Sequence, residues 1–94
     1  MSNQENLIAI LINEIDNVAV ACNDFKRHEE INIHGKTVVL LDDIGMAHKI
    51  AVTDISKGED IVKFGVCIGS ATANIQAGEL VHLHNIKSNY IVMR

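Results

Sequence analysis

The chain has 94 residues and a formal net charge of −4 at pH 7, which is enough for one domain with a modest core. Acidic and basic residues are mixed without a basic stripe, and Phe25, Phe64 and Tyr90 are its only Phe, Tyr or Trp residues. This composition argues against a nucleic-acid partner, which would need a basic patch and stacking aromatic side chains.

The N-terminus is polar over residues 1–6 and is followed by an apolar run over residues 7–12. The run is too short to span a membrane, and it lacks a basic region and a cleavage site, so we predict neither a signal peptide nor a membrane span. Cys22 and Cys67 form no CxxC pair, which is typical of small core residues in a cytosolic protein. The expected location is the cytoplasm.

Short apolar runs separated by Gly, Asn and Asp turns predict an all-β domain. Strands are expected, in chain order, over residues 7–12, 18–22, 29–33, 37–41, 48–53, 61–64 and 80–84. A single helical turn over residues 7–12 is the alternative there. Gly35 predicts a hairpin turn, and residues 66–68 are expected to be a buried segment between Gly65 and Gly69.

No segment of ten or more residues shows helical periodicity, and turn signals recur throughout the chain. The prediction is one compact domain over residues 1–94, with its core at about residues 7–88. Residues 90–93 are expected to form a final strand or an edge that pairs with a partner.

One eight-residue phrase occurs four times. The copies begin at Asp24, Asp43, Asp54 and Asn74 and read DFKRHEEI, DIGMAHKI, DISKGEDI and NIQAGELV. Each begins with a side chain that can cap a turn and ends with Ile or Val, which predicts a strand end, a turn and the start of the next strand. The fifth residue is Gly58 or Gly78 in two copies, as a turn with positive φ requires.

The second copy differs at the sixth residue of the phrase. Three copies have glutamate there, whereas the second has His48. A repeat that keeps its frame and changes one polar residue to histidine marks that residue as a candidate functional site. The alternative is that this position accepts any polar residue at the exit of a turn.

His82 and His84 are two residues apart in the predicted strand 80–84. On a regular strand both imidazoles project from one face, where they can chelate a divalent metal or hold a carboxylate. A zinc or iron centre would need at least one more ligand. The alternative is a half-exposed strand whose solvent face carries two histidines. Asn85 follows, and it can cap a turn or bind a substrate hydroxyl.

His48 and Lys49 form the second candidate pair. Histidine can act as a general acid or base near neutral pH, and lysine supplies a positive charge for an anionic substrate. If residues 48–53 form a regular strand, the two side chains point to opposite faces and cannot enter one pocket without a bulge. His28 and His34 lie in predicted turns and are expected at the surface.

Five segments together resemble a known family: DNVAVA from Asp16, HKIA from His48, KGEDIVKFGVCIG from Lys57, ATANIQAGE from Ala71 and VHLHN from Val81. They are similar to the N-terminal domain of the altronate and galactarate dehydratases, a SAF-type module with a β-clip fold. The resemblance covers residues 16–88. Family members commonly have Pro-x-Gly-His-Lys where this chain has Gly45-Met46-Ala47-His48-Lys49.

The resemblance implies elimination of water from a sugar acid such as altronate or galactarate, assisted by a divalent metal such as iron or manganese. It also implies a small subunit that completes the active site of a separate large catalytic subunit and is inactive alone. On this basis His48 is expected to be catalytic, Lys49 and Asn85 to bind the hydroxy-acid substrate, and His82 and His84 to bind the metal.

Three other interpretations remain open from the sequence. The chain is also similar to the small subunit of sulfolactate sulfo-lyase, which would eliminate sulfite instead of water. It could instead be a non-catalytic SAF module that binds a ligand or docks a partner, or a piece of a longer enzyme. The substrate, the metal, the oligomeric state and the identity of the large subunit are not determined by the sequence.

Overall fold

The structure, a computed structural model, describes residues 8–88, and these residues form nine short strands and no helix. The strands are β1 (Ala9–Ile10), β2 (Val18–Ala21), β3 (Glu30–Ile33), β4 (Lys36–Val39), β5 (Lys49–Ala51), β6 (Asp60–Lys63), β7 (Val66–Ala71), β8 (Leu80–Val81) and β9 (Ile86–Lys87). The described part of the chain therefore contains no helix that is long and apolar enough to cross a membrane. The all-β prediction is confirmed.

All strand pairs within this range are antiparallel. Strands β1, β2, β5 and β8 form one sheet in that order, β6, β7 and β9 form a second, and β3 and β4 form a hairpin. Each two-residue hairpin turn has positive φ at both positions, 51° at His34 and 83° at Gly35, then 55° at Phe64 and 79° at Gly65. Two positive φ angles define a type I′ turn, so the hairpin predicted at Gly35 is confirmed.

Most strands are shorter than the sequence predicts, β5 among them, which covers Lys49–Ala51 instead of residues 48–53. Two of these differences have an identifiable cause. The strand predicted over residues 7–12 is confirmed only at β1 (Ala9–Ile10), and its predicted burial is wrong because both Ile10 and Ile12 are exposed. The strand predicted over residues 80–84 is wrong beyond Val81, where β8 ends. In both places a side chain accepts the backbone N–H groups that a longer strand would use. Asp16 accepts from Ile12, and Asn85 accepts from His82.

The segment between Gly65 and Gly69 is also less buried than predicted. It begins β7, and Val66 is 55% exposed. Cys67 and Cys22 are free thiols, and each is only half-buried, so neither belongs to the core. Strand β9 is not predicted by the sequence pattern. The strand or edge predicted over residues 90–93 lies outside the described residues.

The repeated phrase is the structural unit of the fold. Copies one and two pair with each other, as do copies three and four, through antiparallel bridges between their second residues. In every copy the first side chain accepts a hydrogen bond from the fourth backbone N–H of the paired copy. The donor and acceptor residues are Met46 and Asp24 (2.8 Å), Arg27 and Asp43 (2.9 Å), Ala77 and Asp54 (3.0 Å), and Lys57 and Asn74 (2.8 Å).

The fifth residue of every copy has positive φ, and the sixth backbone N–H donates to the third carbonyl. The φ angles are 79° at His28, 74° at Ala47, 90° at Gly58 and 97° at Gly78, and the closing hydrogen bonds measure 2.9 to 3.1 Å. The predicted turn is thus present four times. At His28 and Ala47 a residue with a Cβ atom adopts a conformation that favours glycine.

The core consists of two clusters, one on each face of the sheet that contains β2 and β5. Ala19 and Ile50 belong to the cluster built around copies one and two. Their chain neighbours Val18 and Ala51 belong to the cluster built around copies three and four. Successive residues of a strand face opposite sides of the sheet, so β2 and β5 separate the two pairs of copies.

We expect Ala47→Gly to raise the free energy of unfolding by about 1 kcal/mol, because glycine takes positive φ without the strain that a Cβ causes. The greater freedom of glycine in the unfolded chain offsets part of this gain. Urea unfolding of both proteins measures the difference. Gly58→Ala is the matched control, since an added Cβ at Gly58 meets no atom within 4 Å, and it should lower stability by a similar amount. A less stable Ala47→Gly protein would contradict the strain at Ala47.

Candidate functional site

His48 and His82 come together where strands β5 and β8 meet. Lys49 of β5 is paired with Val81 of β8. His48, which precedes Lys49, and His82, which follows Val81, are therefore opposite each other. The two imidazole rings lie edge to face, with centroids 5.3 Å apart and planes at 61°. Both side chains are exposed. The site is therefore a pair of imidazoles at an open rim of the module.

The turn of copy two holds the His48 ring. Nδ1 of His48 lies 3.3 Å from the carbonyl oxygen of Gly45. A carbonyl can only accept, so this contact favours the tautomer with the proton on Nδ1. Nε2 then keeps its lone pair and is available for proton transfer or for binding a cation.

In copies one and three the glutamate at the equivalent position makes a different hydrogen bond. Glu29 accepts a hydrogen bond from the N–H of Lys26 at 2.7 Å, and Glu59 accepts from the N–H of Ser56. Both carboxylates thus stabilise their own turn. His48 contacts the carbonyl of the third residue of its turn, so the change to histidine alters the side chain's contact while the backbone turn is retained.

Asn85 closes the turn that carries His82. Its Oδ1 accepts from the His82 N–H at 3.0 Å, and its Nδ2 donates to the Leu80 carbonyl at 2.9 Å. Its own N–H donates to the His82 carbonyl at 3.0 Å, and the residue is only 5% exposed. The buried amide of Asn85 is therefore engaged inside the chain, and we place Asn85 as a residue that positions His82.

His84 is exposed in this same turn. The two-residue spacing was expected to align His82 and His84 on one strand face, but the strand ends at Val81. The argument from strand spacing is thus wrong for this pair. The histidine that meets His82 is His48.

Lys49 lies on the other face of the sheet from His48. It is paired with Val20 and Val81, and Val81 belongs to the second core cluster. The pKa of Lys49 is lowered below its ordinary value. The larger cause is burial of its side chain, and the smaller is repulsion from Lys63. As the sequence alternation predicts, the two neighbours do not share one face.

The described residues do not complete a metal site. Within residues 8–88 no three His, Cys, Asp or Glu side chains form a group that could hold a metal ion. Catalytic metal centres commonly use three protein ligands. His48 and His82 are at most part of such a ligand set.

The fold and the rim define a small all-β module that exposes two imidazoles at one edge. A family model for the altronate/galactarate dehydratase SAF domain matches residues 7–89, and the chain belongs to this family. The chain is 45% identical to altronate dehydratase of Escherichia coli (strain K12) over 80 residues, and 40% identical to altronate dehydratase of Bacillus subtilis (strain 168) over 80 residues. Each match covers 85% of this chain but only 16% of the relative.

A third relative is itself named as a subunit. The chain is 40% identical over 47 residues to (2R)-sulfolactate sulfo-lyase subunit alpha of Chromohalobacter salexigens, and the match covers 50% of each protein. These relatives are enzymes of the dehydratase and lyase type, and this chain corresponds to only a part of each.

Sequence reasoning named both members of the imidazole pair but assigned them to different pairs. The signal that joins them is the register of β5 against β8, which is a contact between distant parts of the chain. The repeat places both histidines near the end of a copy. Copy two ends at Ile50, two residues after His48, and copy four ends at Val81, directly before His82.

We expect His48→Glu to fold with at least the stability of the native protein. Glutamate at this position can accept from the Gly45 N–H, as its counterparts do in copies one and three, and a hydrogen bond of this kind contributes about 1 kcal/mol. His48→Ala, which cannot make that bond, is the matched control and should be less stable than His48→Glu. Urea unfolding measures both. A strongly destabilised His48→Glu would mean that histidine is required by the fold.

We expect Asn85→Ala to separate the two imidazoles, because the Leu80–Asn85 turn loses both side-chain hydrogen bonds. The stability loss should be about 1–3 kcal/mol, as for other buried polar groups left without a partner. Proton NMR contacts between the His48 and His82 rings report the separation directly. Asn74→Ala is the control, since it removes only the bond from the Lys57 N–H and should leave the ring contacts unchanged. Persistence of the ring contacts in Asn85→Ala would rule out the positioning role.

Proposed function

We propose that this chain contributes the imidazole pair to the active site of a hydro-lyase that eliminates water from a sugar acid such as altronate or galactarate. A large catalytic subunit or domain completes that site, and the chain alone is inactive. The observation that carries the proposal is the 5.3 Å contact between two exposed imidazoles. Membership of the SAF family of altronate and galactarate dehydratases supports the reaction class.

His48 is the proposed acid–base residue. Its Nε2 lone pair can accept the proton α to the substrate carboxylate, and the protonated ring can return a proton to the departing hydroxide. The Gly45 carbonyl keeps Nδ1–H oriented during this transfer. The neighbouring His82 ring limits how far the His48 ring can turn.

The remaining residues have supporting roles. His82 and His84 are proposed ligands of a divalent metal such as iron or manganese, together with groups of the large subunit. Such a metal, when bound, stabilises negative charge on the substrate carboxylate. The expected substrate contact of Lys49 is not retained, because Lys49 lies on the face of the sheet opposite His48. Asn85 positions His82 and is not proposed to touch the substrate.

The short length of the match to the dehydratases supports a partner. Only 16% of each altronate dehydratase corresponds to this chain. The large catalytic part is therefore proposed as the partner, and the proposed location is the cytoplasm.

Sulfite elimination from sulfolactate is the second candidate reaction. It is favoured by one observation, namely that the matching sulfo-lyase protein is a subunit of which the chain covers 50%. The chemistry is the same up to the leaving group, because a base still removes the proton α to a carboxylate.

A chimeric enzyme tests the proposal. In this chimera the 80-residue segment of E. coli altronate dehydratase that aligns with this chain is replaced by the corresponding residues of this chain. We expect turnover of a sugar acid by the chimera and none by the isolated chain. Assays with altronate, galactarate and sulfolactate distinguish the two candidate reactions.

In this chimera His48→Glu should lower kcat by about 10²-fold or more, the usual effect of losing a general acid or base. Glu59→Gln, at the same turn position of copy three, is the control and should keep its activity. An active His48→Glu chimera would overturn the catalytic role of His48. A folded chimera without activity on all three substrates would favour a non-catalytic binding module.

A further inference from the structure

We infer that Met46 and Leu83, the exposed apolar side chains of the two loops that carry the imidazoles, anchor the catalytic part of the enzyme on this module. The inference rests on the proposed function for the identity of the partner. It adds the surface by which the partner binds.

Both side chains are strongly exposed for apolar residues. Met46 is 60% exposed and lies two residues before His48, and Leu83 is 80% exposed and directly follows His82. Large apolar side chains exposed beside polar functional groups are typical of a surface that another protein covers. The two anchors therefore border the imidazole pair.

The loops that present these side chains are held in place. The Met46 N–H donates to Asp24 at 2.8 Å, and the next N–H, that of Ala47, donates to the Ala21 carbonyl at 2.8 Å. Leu83 lies inside the turn that Asn85 closes. A loop whose backbone is already fixed loses little conformational freedom on binding, which favours the binding of the side chains it carries.

The catalytic part is the occupant that the site itself requires. Residues 8–88 provide two imidazoles in contact but no third ligand for a metal, and both rings are exposed. An elimination of water proceeds best where bulk water is excluded. A surface that supplies the missing groups must therefore cover His48 and His82, and it cannot do so without covering the residues beside them.

A second apolar surface serves as an internal comparison. Ile12 and Ile15 are 67% and 63% exposed, close to the value for Met46. Their loop is held by the buried carboxylate of Asp16, which accepts from the N–H groups of Gly65 (2.7 Å), Asn13 (3.2 Å) and Ile12 (3.3 Å). Burial raises the pKa of Asp16, but these donors outweigh it and lower the pKa below its ordinary value, so the carboxylate stays charged.

This comparison surface is at the other end of the sheet. Ala9 of β1 is opposite Ala21, and the Ala21 N–H donates to the His48 carbonyl. The chain runs from Ala9 away from the imidazoles, and Ile12 is three residues further on, about 10 Å along an extended chain. One surface can thus be covered while the other stays open.

Hydroxyl-radical footprinting of the chimera and of the isolated 94-residue chain tests the inference. We expect Met46 and Leu83 to be oxidised more slowly in the chimera, because side chains in the core of an interface are shielded from solvent. Ile12 and Ile15 should react equally in both proteins. Equal oxidation of Met46 and Leu83 in both proteins, or protection of Ile12 and Ile15 instead, would overturn the inference.

Variants of the chimera give a second, functional measurement. Leu83→Ser and Met46→Gln should each lower kcat/KM by about tenfold, the effect of removing one interface anchor. Ile12→Ser and Ile15→Gln are matched for exposure and should stay within about twofold of the unmodified chimera. The melting temperature of each isolated variant confirms that the module still folds. Equal activity of all four variants would overturn the anchoring role.

The two proposals fail in different ways. An active chimera with unprotected Met46 and Leu83 would refute the docking surface and leave the proposed function standing. A chimera with both residues protected but without lyase activity would refute the proposed function and leave the docking surface standing.

Discussion

The hydrogen bond from a backbone N–H to the first side chain of the paired repeat is the contact on which the structure depends. It occurs four times, twice in each pair of copies, and it is reciprocal within each pair. The carboxylates of Asp24 and Asp43 are thereby each tied to the turn that follows the other. A small domain buries a smaller share of its surface than a large one, so such polar links between turns contribute more to which segments become neighbours.

This arrangement leaves the sixth residue of the phrase free to change. The turn is closed by backbone groups, because the sixth N–H donates to the third carbonyl and the fifth N–H donates to a carbonyl beside the paired copy. A glutamate at this position adds a further link, as Glu29 and Glu59 do, but the turn of copy two forms without one. A histidine can therefore replace the glutamate without a change in fold. Ala47 with its positive φ shows that the same turn also tolerates strain beside His48.

Much of the fold could be predicted from the sequence because its signals are local. The four turns, the Gly35 hairpin and the all-β class each follow from residues close together in the chain. The site could be predicted only in part. His48 was identified by comparison within the repeat, but its contact with His82 depends on the register between β5 and β8, which no local pattern contains. The alternation Val-His-Leu-His is typical of a strand, but β8 ends at Val81 because the Asn85 side chain accepts a hydrogen bond from the His82 N–H.

The packing of core residues on both faces of one sheet explains why the imidazoles lie at a rim. The sheet that carries β2 and β5 has a core cluster on each face, so residues in the middle of these strands are buried in contacts with other core residues. Exposed side chains are therefore found at the ends of the strands, where His48 precedes β5 and His82 follows β8. A described surface cavity of about 270 Å³ is lined by Leu11, Ile12, Asn13, Glu14 and His34, and neither imidazole of the pair is among its residues. Within the described residues the imidazole pair is therefore open to solvent at the rim and is not part of this cavity.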